Sequence, residues 1–196
     1  MAPRLPAAER RDQLLIAALT VFSRDGYHGT SMNDVAVAAG VTKPVLYQHF
    51  PSKQSLYLEL LSDVGAQLDA AIVEGVRREE KPNDRMKGGL TAYFTFVRDH
   101  RAEFELIFGS GAENDPKFNG AVRGIEWSIA DHIAVMLRDL APPDVAQRLA
   151  HGVVGMAEGA CRHWLRREPD LEPETLGADL ADMVWNGLGQ LSLRPA

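Results

Sequence analysis

Apolar residues recur along this chain at steps of three and four, the spacing that is typical of amphipathic helices. One stripe predicts a helix from Ala7 to Arg24, and another predicts a long helix from Ser52 to about residue 79, where Ser52 and Gln54 resemble a capping box. The charged segment 78–84 interrupts the pattern. Further stripes predict helices at 89–98, 101–108, 118–140, 145–167 and 172–191.

No segment has the alternating Val, Ile and Thr residues that indicate a strand. With two short helices between residues 30 and 50, the pattern predicts an all-α fold of about nine helices. The first three form a small N-terminal domain, which we place at residues 1–51. A helical bundle over residues 52–196 follows it.

The two short helices lie in the stretch TSMNDVAVAAGVTKPVLYQHFPSK, which begins at Thr30. Thr30 or Ser31 is expected to cap the first helix, because a side-chain oxygen there satisfies a free N–H of the first turn. Gly40 is suited to the positive φ that often ends a helix. Thr42 is expected to cap the second helix, with Pro44 in its first turn. This pattern is typical of a helix-turn-helix unit.

The second short helix has two unlike sides. At about 100° per residue, Leu46 and Phe50 fall on one side and are expected to pack inward. The other side offers groups suited to a major groove, since Gln pairs with adenine, Lys reaches guanine and Pro contacts a thymine methyl. A short core helix with incidental polar residues is the alternative. The expected DNA-contacting residues, including those that would hold phosphates, are Thr30, Ser31, Thr42, Lys43, Pro44, Tyr47, Gln48, His49 and Lys53.

Composition and charge agree with a DNA-binding N-terminal part. The 196 residues are long enough for a substantial core, and 45% hydrophobic and 24% charged residues are typical of a globular protein. The net charge of −6 divides unevenly, at +2 for residues 1–57 and −8 for residues 58–196. Only the N-terminal part has the sign that phosphate contacts require.

Other function classes have little support in the sequence. The single Cys161 excludes an internal disulfide, and neither an H-E-x-x-H metal motif nor a G-x-S-x-G nucleophile motif occurs. We therefore expect no enzyme, no metal and no cofactor. No stretch approaches the ~20 apolar residues of a membrane span, and no signal peptide is evident, so we expect a cytoplasmic protein without a membrane partner.

The run GYHGTSMNDVAVAAGVTKPVLYQHFPSKQSLY resembles the DNA-binding region of the tetracycline-repressor (TetR) family of bacterial regulators. The shared features are an aromatic residue after a glycine, a Thr/Ser pair, A-G-V before the recognition helix, and L-Y-x-H-F-x-S-K, which leads into the fourth helix. The resemblance implies a homodimer that binds a roughly palindromic operator. It also implies an effector site among the C-terminal helices.

The C-terminal part resembles the actinobacterial branch of that family that senses long-chain acyl-CoA and regulates fatty-acid synthesis. The similar stretches are RLPAAERRDQLL, VTKPVLYQHF, ELIFGS and GVVGMAEGACRHWL. This implies an apolar tunnel with phosphate-binding cations at its mouth, for which Arg162, His163, Arg166 and Arg167 are available. The expected pocket residues, which could equally be plain core, are Phe94, Val97, Phe104, Ile107, Phe108, Trp127, Cys161 and Trp164.

Glycines at three- and four-residue steps in the segment 152–159 would let another helix approach closely. With the final helix they suit a four-helix interface between two subunits, although core packing within one subunit could use the same residues. The expected interface residues are Gly152, Val153, Met156, Ala160, Leu180, Met183, Val184 and Leu188.

The sequence thus predicts a ligand-responsive TetR-type regulator, a repressor in the family's commoner mode, with an apolar effector. One alternative is an all-α binding module that has lost DNA recognition. Another is a multidrug-responsive repressor unrelated to lipids. The sequence does not specify the operator, the regulated genes or the effector.

Overall fold

A computed structural model of the chain describes residues 6–106, 115–138 and 140–189. These ranges contain nine α-helices and no strand, so the predicted all-α fold is confirmed. The helices are α1 (Ala7–Gly29), α2 (Met32–Ala38), α3 (Lys43–His49), α4 (Lys53–Arg77), α5 (Pro82–Asp99), α6 (Arg101–Phe104), α7 (Asn119–Met136), α8 (Pro143–Arg167) and α9 (Pro173–Gly189).

Helices α5, α6 and α7 depart by several residues from their predicted bounds. Helix α5 begins at Pro82, seven residues earlier than expected, because a proline in the first turn has a helical φ and no N–H to satisfy. Helix α6 ends at Phe104 rather than residue 108, and a π-helical turn at 105–106 follows it. Helix α7 ends at Met136, short of the predicted residue 140.

Helix α1 contains one interruption where the sequence predicts its end. Gly26 has a φ of 70° and a ψ of 170°, a conformation that only glycine adopts readily. The chain then resumes a helical turn through Gly29. The predicted inward stripe is confirmed, since these residues are all buried: Leu14, Leu15, Ala18, Val21 and Phe22.

The described chain forms two compact units. The first contains residues 6–65 together with 100–106 and 115–122, and the second contains residues 66–99, 123–138 and 140–189. Helices α1, α2 and α3 form the first unit with the N-terminal part of α4. The core of this unit is apolar, with these residues almost completely buried: Leu14, Phe22, Val35, Leu46, Phe50, Leu56, Tyr57, Leu60 and Phe118.

Helix α4 begins with a reciprocal pair of hydrogen bonds. The backbone N–H of Ser52 donates to Oγ of Ser55, and the N–H of Ser55 donates to Oγ of Ser52, both at 3.0 Å. The sequence-based assignment of Gln54 to this capping box was wrong, because the residue three positions after Ser52 is Ser55.

The second unit is built around α5, which packs along α9. Their backbones approach closely at Gly177, where an added Cβ would lie 2.5 Å from Oγ1 and 2.8 Å from Cα of Thr91. Helices α4 and α5 cross at Gly75 and Gly88, where a Cβ on Gly75 would lie 2.5 Å from the Gly88 carbonyl oxygen. Glycine is therefore required at Gly75 and Gly177, because atoms of the facing helix already occupy the space that a Cβ would need.

Candidate nucleic-acid interface

Helix α2 begins with a complete capping box. The N–H of Asp34 donates to Oγ of Ser31 at 3.3 Å, and the N–H of Ser31 donates to the Asp34 carboxylate at 2.8 Å. The Ser31 hydroxyl donates to the same carboxylate at 2.6 Å. These hydrogen bonds, from the side chain first and the backbone second, lower the pKa of Asp34. Ser31 is therefore the capping residue.

The expectation that Thr30 contacts DNA was wrong, because its side chain is buried. Its side chain is only 2% exposed, and its hydroxyl donates to the carbonyl of Gly26 at 2.8 Å. This bond satisfies one of the last carbonyls of α1, so the side chain is directed into the unit and away from solvent. The Thr30 side chain is therefore not available for a contact with DNA.

The turn between α2 and α3 has the predicted glycine geometry. Gly40 has a φ of 66°, and the N–H of Val41 donates to the carbonyl of Ala36 at 2.9 Å. Nε2 of Gln13 on α1 donates to the carbonyl of Ala39 at 3.0 Å. Gln13 thus attaches the end of α2 to α1. Nothing in the sequence pattern distinguishes this glutamine from the other polar residues of α1.

Helix α3 begins at the predicted cap position. The backbone of Thr42 is extended, with a φ of −83° and a ψ of 152°, and its carbonyl accepts from the N–H groups of Val45 and Leu46. The Thr42 side chain makes no capping hydrogen bond and is exposed, so only its backbone fulfils the predicted capping role. Its hydroxyl faces solvent beside the first turn of α3.

The two predicted sides of α3 are confirmed. Leu46 and Phe50 are 0% and 1% exposed, whereas the ring of Tyr47 is 48% exposed although it follows Leu46 directly. The exposed side combines a cation, an amide and an aromatic hydroxyl on a rigid seven-residue helix. His49 at its end is half-buried. The exposed residues are Thr42, Lys43, Pro44, Tyr47 and Gln48.

Lys53 has internal partners. Its ammonium donates to the carbonyls of Tyr27 and Thr30 at 2.8 and 2.9 Å and lies 4.3 Å from the centre of the Tyr27 ring. Arg11 is held in a similar way, with an ion pair to Glu59 and a hydrogen bond of 3.2 Å to the carbonyl of His49. Both cations connect elements of the first unit.

The expected pocket residues have different surroundings. In the second unit, Phe94 and Trp164 are buried with their ring centres 5.8 Å apart, and Val97 and Cys161 are 0% exposed. Trp127 is 58% exposed, which contradicts its expected place in an apolar wall. Phe104 is buried in the first unit. Residues 107 and 108, the expected Ile107 and Phe108, lie outside the described part of the chain.

The expected dimer residues also differ in how far they are exposed to solvent. Gly152, like the neighbouring Gly155 and Gly159, has no other atom within 4 Å of a built Cβ, so this side of α8 is open. Val153 is 6% exposed and belongs to the core of its own chain, which corrects its assignment. Met183 is 55% exposed, and the side chain of Leu188 is outside the described part. Half-buried are Met156, Ala160, Leu180 and Val184.

Within the described ranges, no group of three or more His, Cys, Asp or Glu side chains has a geometry suited to a metal ion. No helix described by the structure is long and apolar enough to cross a membrane.

The capped pair α2 and α3, joined by a positive-φ glycine and presenting a polar side of α3, defines a helix-turn-helix DNA-binding unit. Residues 14–60 match the family model "Bacterial regulatory proteins, tetR family", and residues 82–187 match "Tetracyclin repressor-like, C-terminal domain". The chain belongs to the TetR family of bacterial transcriptional regulators, whose members bind DNA and form dimers and are not enzymes.

Individual relatives agree with this assignment. The chain is 32% identical over 192 residues to the HTH-type transcriptional activator FasR of Mycolicibacterium smegmatis, covering 97% of this chain and 88% of that protein. It is 26% identical to the regulator BetI of Vibrio atlanticus over 90% of this chain and 88% of that one. Among solved structures, a TetR-like regulator from Rhodococcus sp. RHA1 gives a TM-score of 0.77 at 26% identity, covering 95% and 99% of the two chains.

A more distant structure shares the fold alone. It is the regulator FadR of Bacillus subtilis, solved in complex with stearoyl-CoA, with a TM-score of 0.76 at 14% identity and coverage of 90% and 98%.

Proposed function

We propose that this regulator binds a roughly palindromic operator as a homodimer, with α3 of each subunit in the major groove of one half-site. The observation that carries the proposal is the division of α3. Leu46 and Phe50 fix the helix on its buried side, so the exposed residues keep a constant position relative to DNA. Two such helices related by a two-fold axis require two inverted half-sites.

The exposed side of α3 supplies both base and phosphate contacts. The Gln48 amide is suited to adenine, Lys43 to guanine, and Pro44 to a thymine methyl group. The hydroxyls of Ser31, Thr42 and Tyr47, with His49, are suited to phosphate oxygens, which fix the register of the helix in the groove. Lys53 is not needed for this interface, because its ammonium has partners within the chain.

The dimer is proposed to form through α8 and α9. The open glycine side of α8 is flat enough for a second helix to approach its backbone closely, and Met183 supplies exposed apolar area on α9. Members of the family form dimers, so a surface of this kind is needed on each chain. Two helices from each subunit would form a four-helix contact.

The effector site is proposed within the second unit, around Phe94, Val97, Cys161 and Trp164. These side chains are apolar and buried, so they would supply the lining that a hydrocarbon chain requires. Burial also raises the pKa of the neighbouring Tyr93 hydroxyl well above its usual value, with the Cys161 thiol adding to the effect. Tyr93 therefore stays a neutral hydroxyl in this interior.

We propose a long-chain acyl-CoA as the effector. The support is the resemblance of the C-terminal part to acyl-CoA-sensing regulators, the relationship to FasR, and the shared fold of FadR with its bound stearoyl-CoA. Arg166 and Arg167 are exposed at the end of α8, where cations are suited to the phosphates of coenzyme A. A drug-like effector is the alternative, and with such an effector the addition of stearoyl-CoA would leave the DNA affinity unchanged.

The proposed mode of action is repression that the effector relieves, because a dimer on promoter DNA excludes other proteins from it. Activation is a second candidate, since the relative FasR is named an activator. In either mode, the effector acts only through its different affinities for the DNA-bound and free conformations. A promoter–reporter fusion in a deletion strain distinguishes the two modes by the direction of the change.

Fluorescence anisotropy with duplexes tiled across the protein's own promoter region tests the DNA proposal. One duplex should bind more tightly and with a steeper salt dependence than a random duplex of equal length. Equal affinity and equal salt dependence would refute operator binding and favour a binding module without DNA recognition. Stearoyl-CoA, added to the same complex, should change the affinity, whereas free coenzyme A should not. An unchanged affinity would refute the acyl-CoA proposal only.

A further inference from the structure

The hydroxyl of Tyr93 is buried and has no hydrogen-bond partner among the described residues. Tyr93 is 6% exposed and lies on α5, inside the second unit. Its ring packs edge-to-face on that of Phe94, with the ring centres 5.1 Å apart. Most buried polar groups are paired, because an unpaired hydroxyl bears the full cost of losing its contact with water. An unpaired hydroxyl in this interior therefore requires an explanation.

The polar groups of α8 near Tyr93 do not satisfy its hydroxyl. The Cys161 thiol acts on the pKa of this hydroxyl, but it is not placed to make a hydrogen bond with it. Glu158 and Arg162 also act on that pKa, and they form an ion pair with each other at 3.4 Å. The Tyr93 hydroxyl is thus a donor that no described acceptor engages.

Tyr57 shows the ordinary arrangement of a buried tyrosine in the same chain. It is 0% exposed, and its hydroxyl donates to the carbonyl of Leu106 at 3.3 Å. Phenylalanine has the same ring and would fill either position without the hydroxyl. Because the Tyr93 hydroxyl makes no such bond, packing alone does not account for a tyrosine at position 93.

The surroundings of the Tyr93 hydroxyl suit a neutral hydrogen-bond acceptor. Burial, then the Cys161 thiol and the negative charge of Glu158, raise the pKa of Tyr93, so the hydroxyl keeps its proton and can donate it. The same burial and the same charge disfavour a carboxylate at this position. A thioester carbonyl is a neutral acceptor that is attached directly to a hydrocarbon chain.

We propose that the Tyr93 hydroxyl donates a hydrogen bond to the thioester carbonyl of the effector, which makes Tyr93 a specificity-determining residue. The inference rests on the proposed acyl-CoA effector. The apolar side chains of Phe94 and Trp164 contact a hydrocarbon chain whatever its head group. The hydroxyl distinguishes an acyl thioester from a ligand of equal length without the carbonyl, because such a ligand leaves the buried donor unpaired.

Isothermal titration calorimetry on the full-length protein without DNA tests this inference. The matched ligands are stearoyl-CoA and S-octadecyl-CoA, a thioether in which a methylene group replaces the carbonyl. The wild type should bind stearoyl-CoA roughly tenfold more tightly, which is the usual size of one hydrogen bond to a buried group. In Tyr93→Phe the two ligands should bind with nearly equal affinity, because the partner of the carbonyl is gone.

Thermal unfolding of the free protein checks that the hydroxyl is unpaired. Tyr93→Phe should leave the melting temperature unchanged or raise it, because the ring remains and an unpaired buried hydroxyl is lost. Tyr57→Phe is the matched control and should lower the melting temperature, because the carbonyl of Leu106 loses its donor. An equal decrease in both variants would overturn the inference, since the Tyr93 hydroxyl would then have a partner within the chain.

The ligand results separate this inference from the effector proposal. Equal affinities of the wild type for the two ligands would overturn the role of Tyr93 and leave the acyl-CoA proposal standing. A preference for the thioester that persists in Tyr93→Phe would have the same meaning. Failure of the wild type to bind either ligand would overturn both proposals. The comparison within the wild type needs no variant, so equal affinities would overturn the inference even if Tyr93→Phe does not fold.

Discussion

The ammonium of Lys53 lies 2.8 Å from the carbonyl oxygen of Tyr27 and donates a hydrogen bond to it. A second N–H donates to the carbonyl of Thr30 at 2.9 Å. A lysine has three donors, and two of them are directed at carbonyls near the end of α1, where a positive charge is favourable. Lys53 therefore stabilises the junction between α1, α2 and α4.

Lys53→Gln should lower the melting temperature of the free protein without changing the salt dependence of DNA binding. Lys43→Gln is the matched comparison, because Lys43 is exposed on α3. It should reduce the slope of log affinity against log salt by up to about 1, because a cation in the groove also neutralises nearby phosphate charge. Anisotropy titrations at four salt concentrations measure both slopes. An equal reduction in Lys53→Gln would contradict the internal role.

Gln48→Ala should weaken binding to the operator by about 1–3 kcal/mol, because the exposed amide is proposed to pair with one base. Binding to a random duplex should change little, since that affinity depends on phosphates. Gln147→Ala, which removes an amide from α8, serves as the control and should leave both affinities unchanged. A loss of equal size on both duplexes would assign Gln48 to the DNA backbone.

Gly40→Ala should destabilise the protein by more than about 1 kcal/mol, because its φ of 66° is strained for a residue with a Cβ. Gly124→Ala provides the opposite control. Gly124 lies inside α7 with no other atom within 4 Å of a built Cβ, so alanine should stabilise by about 0.5–1 kcal/mol. Urea unfolding measures both changes. Equal effects would mean that the turn adopts another conformation in solution.

Gly155→Leu should weaken dimerisation about tenfold or more, which corresponds to ~1.4 kcal/mol, because the side chain would separate two closely packed backbones. Within one chain there is room for it, since no other atom lies within 4 Å of a built Cβ. Gly124→Leu adds the same side chain to an open position on α7 and should not affect the dimer. Sedimentation velocity at several concentrations distinguishes them, and equal dissociation of both variants would argue against the α8 interface.

Acidic solution should weaken the cap of α2. The pKa of Asp34 is lowered in the folded protein by hydrogen bonds from Ser31, so its contribution to stability is present above the ordinary carboxyl pKa and is lost as the pH falls through the lowered value. Asp34→Asn should therefore have a lower melting temperature than the wild type at pH 7. The difference should narrow below about pH 4. A difference that stays constant down to pH 2 would exclude the carboxylate as its source.

The sequence was sufficient for the fold and for the two sides of α3, because both depend on local periodicity and turn chemistry. It did not distinguish Thr30 from Ser31 as the cap, since adjacent hydroxyl residues have the same propensity and only the position of the α1 carbonyls separates them. Lys53 shows the same limit. A lysine that bonds to carbonyls 23 and 26 residues away cannot be told from a solvent-facing lysine by its position in the sequence pattern.

Trp127 and Val153 were assigned wrongly for a related reason. Helical spacing shows which residues share a side, but it does not show whether that side meets the core, a second subunit or solvent. Trp127 is 58% exposed and Val153 is 6% exposed, the reverse of what a pocket wall and a subunit surface require within one chain. The bounds of α5 depended on Pro82, whose role as a first helical residue is clear only once the helix is known.

Substitution is most restricted at Gly75, Gly88 and Gly177, where α5 crosses α4 and α9, and it is less restricted among the aromatic residues of the core. Any side chain at these positions would push α4 or α9 away, so their spacing tolerates almost no substitution. The requirement on the rings around Phe94 is weaker, since exchanging one apolar side chain for another of similar volume leaves the helix axes where they are. A regulator built in this way is free to acquire a new effector during evolution while its frame stays the same.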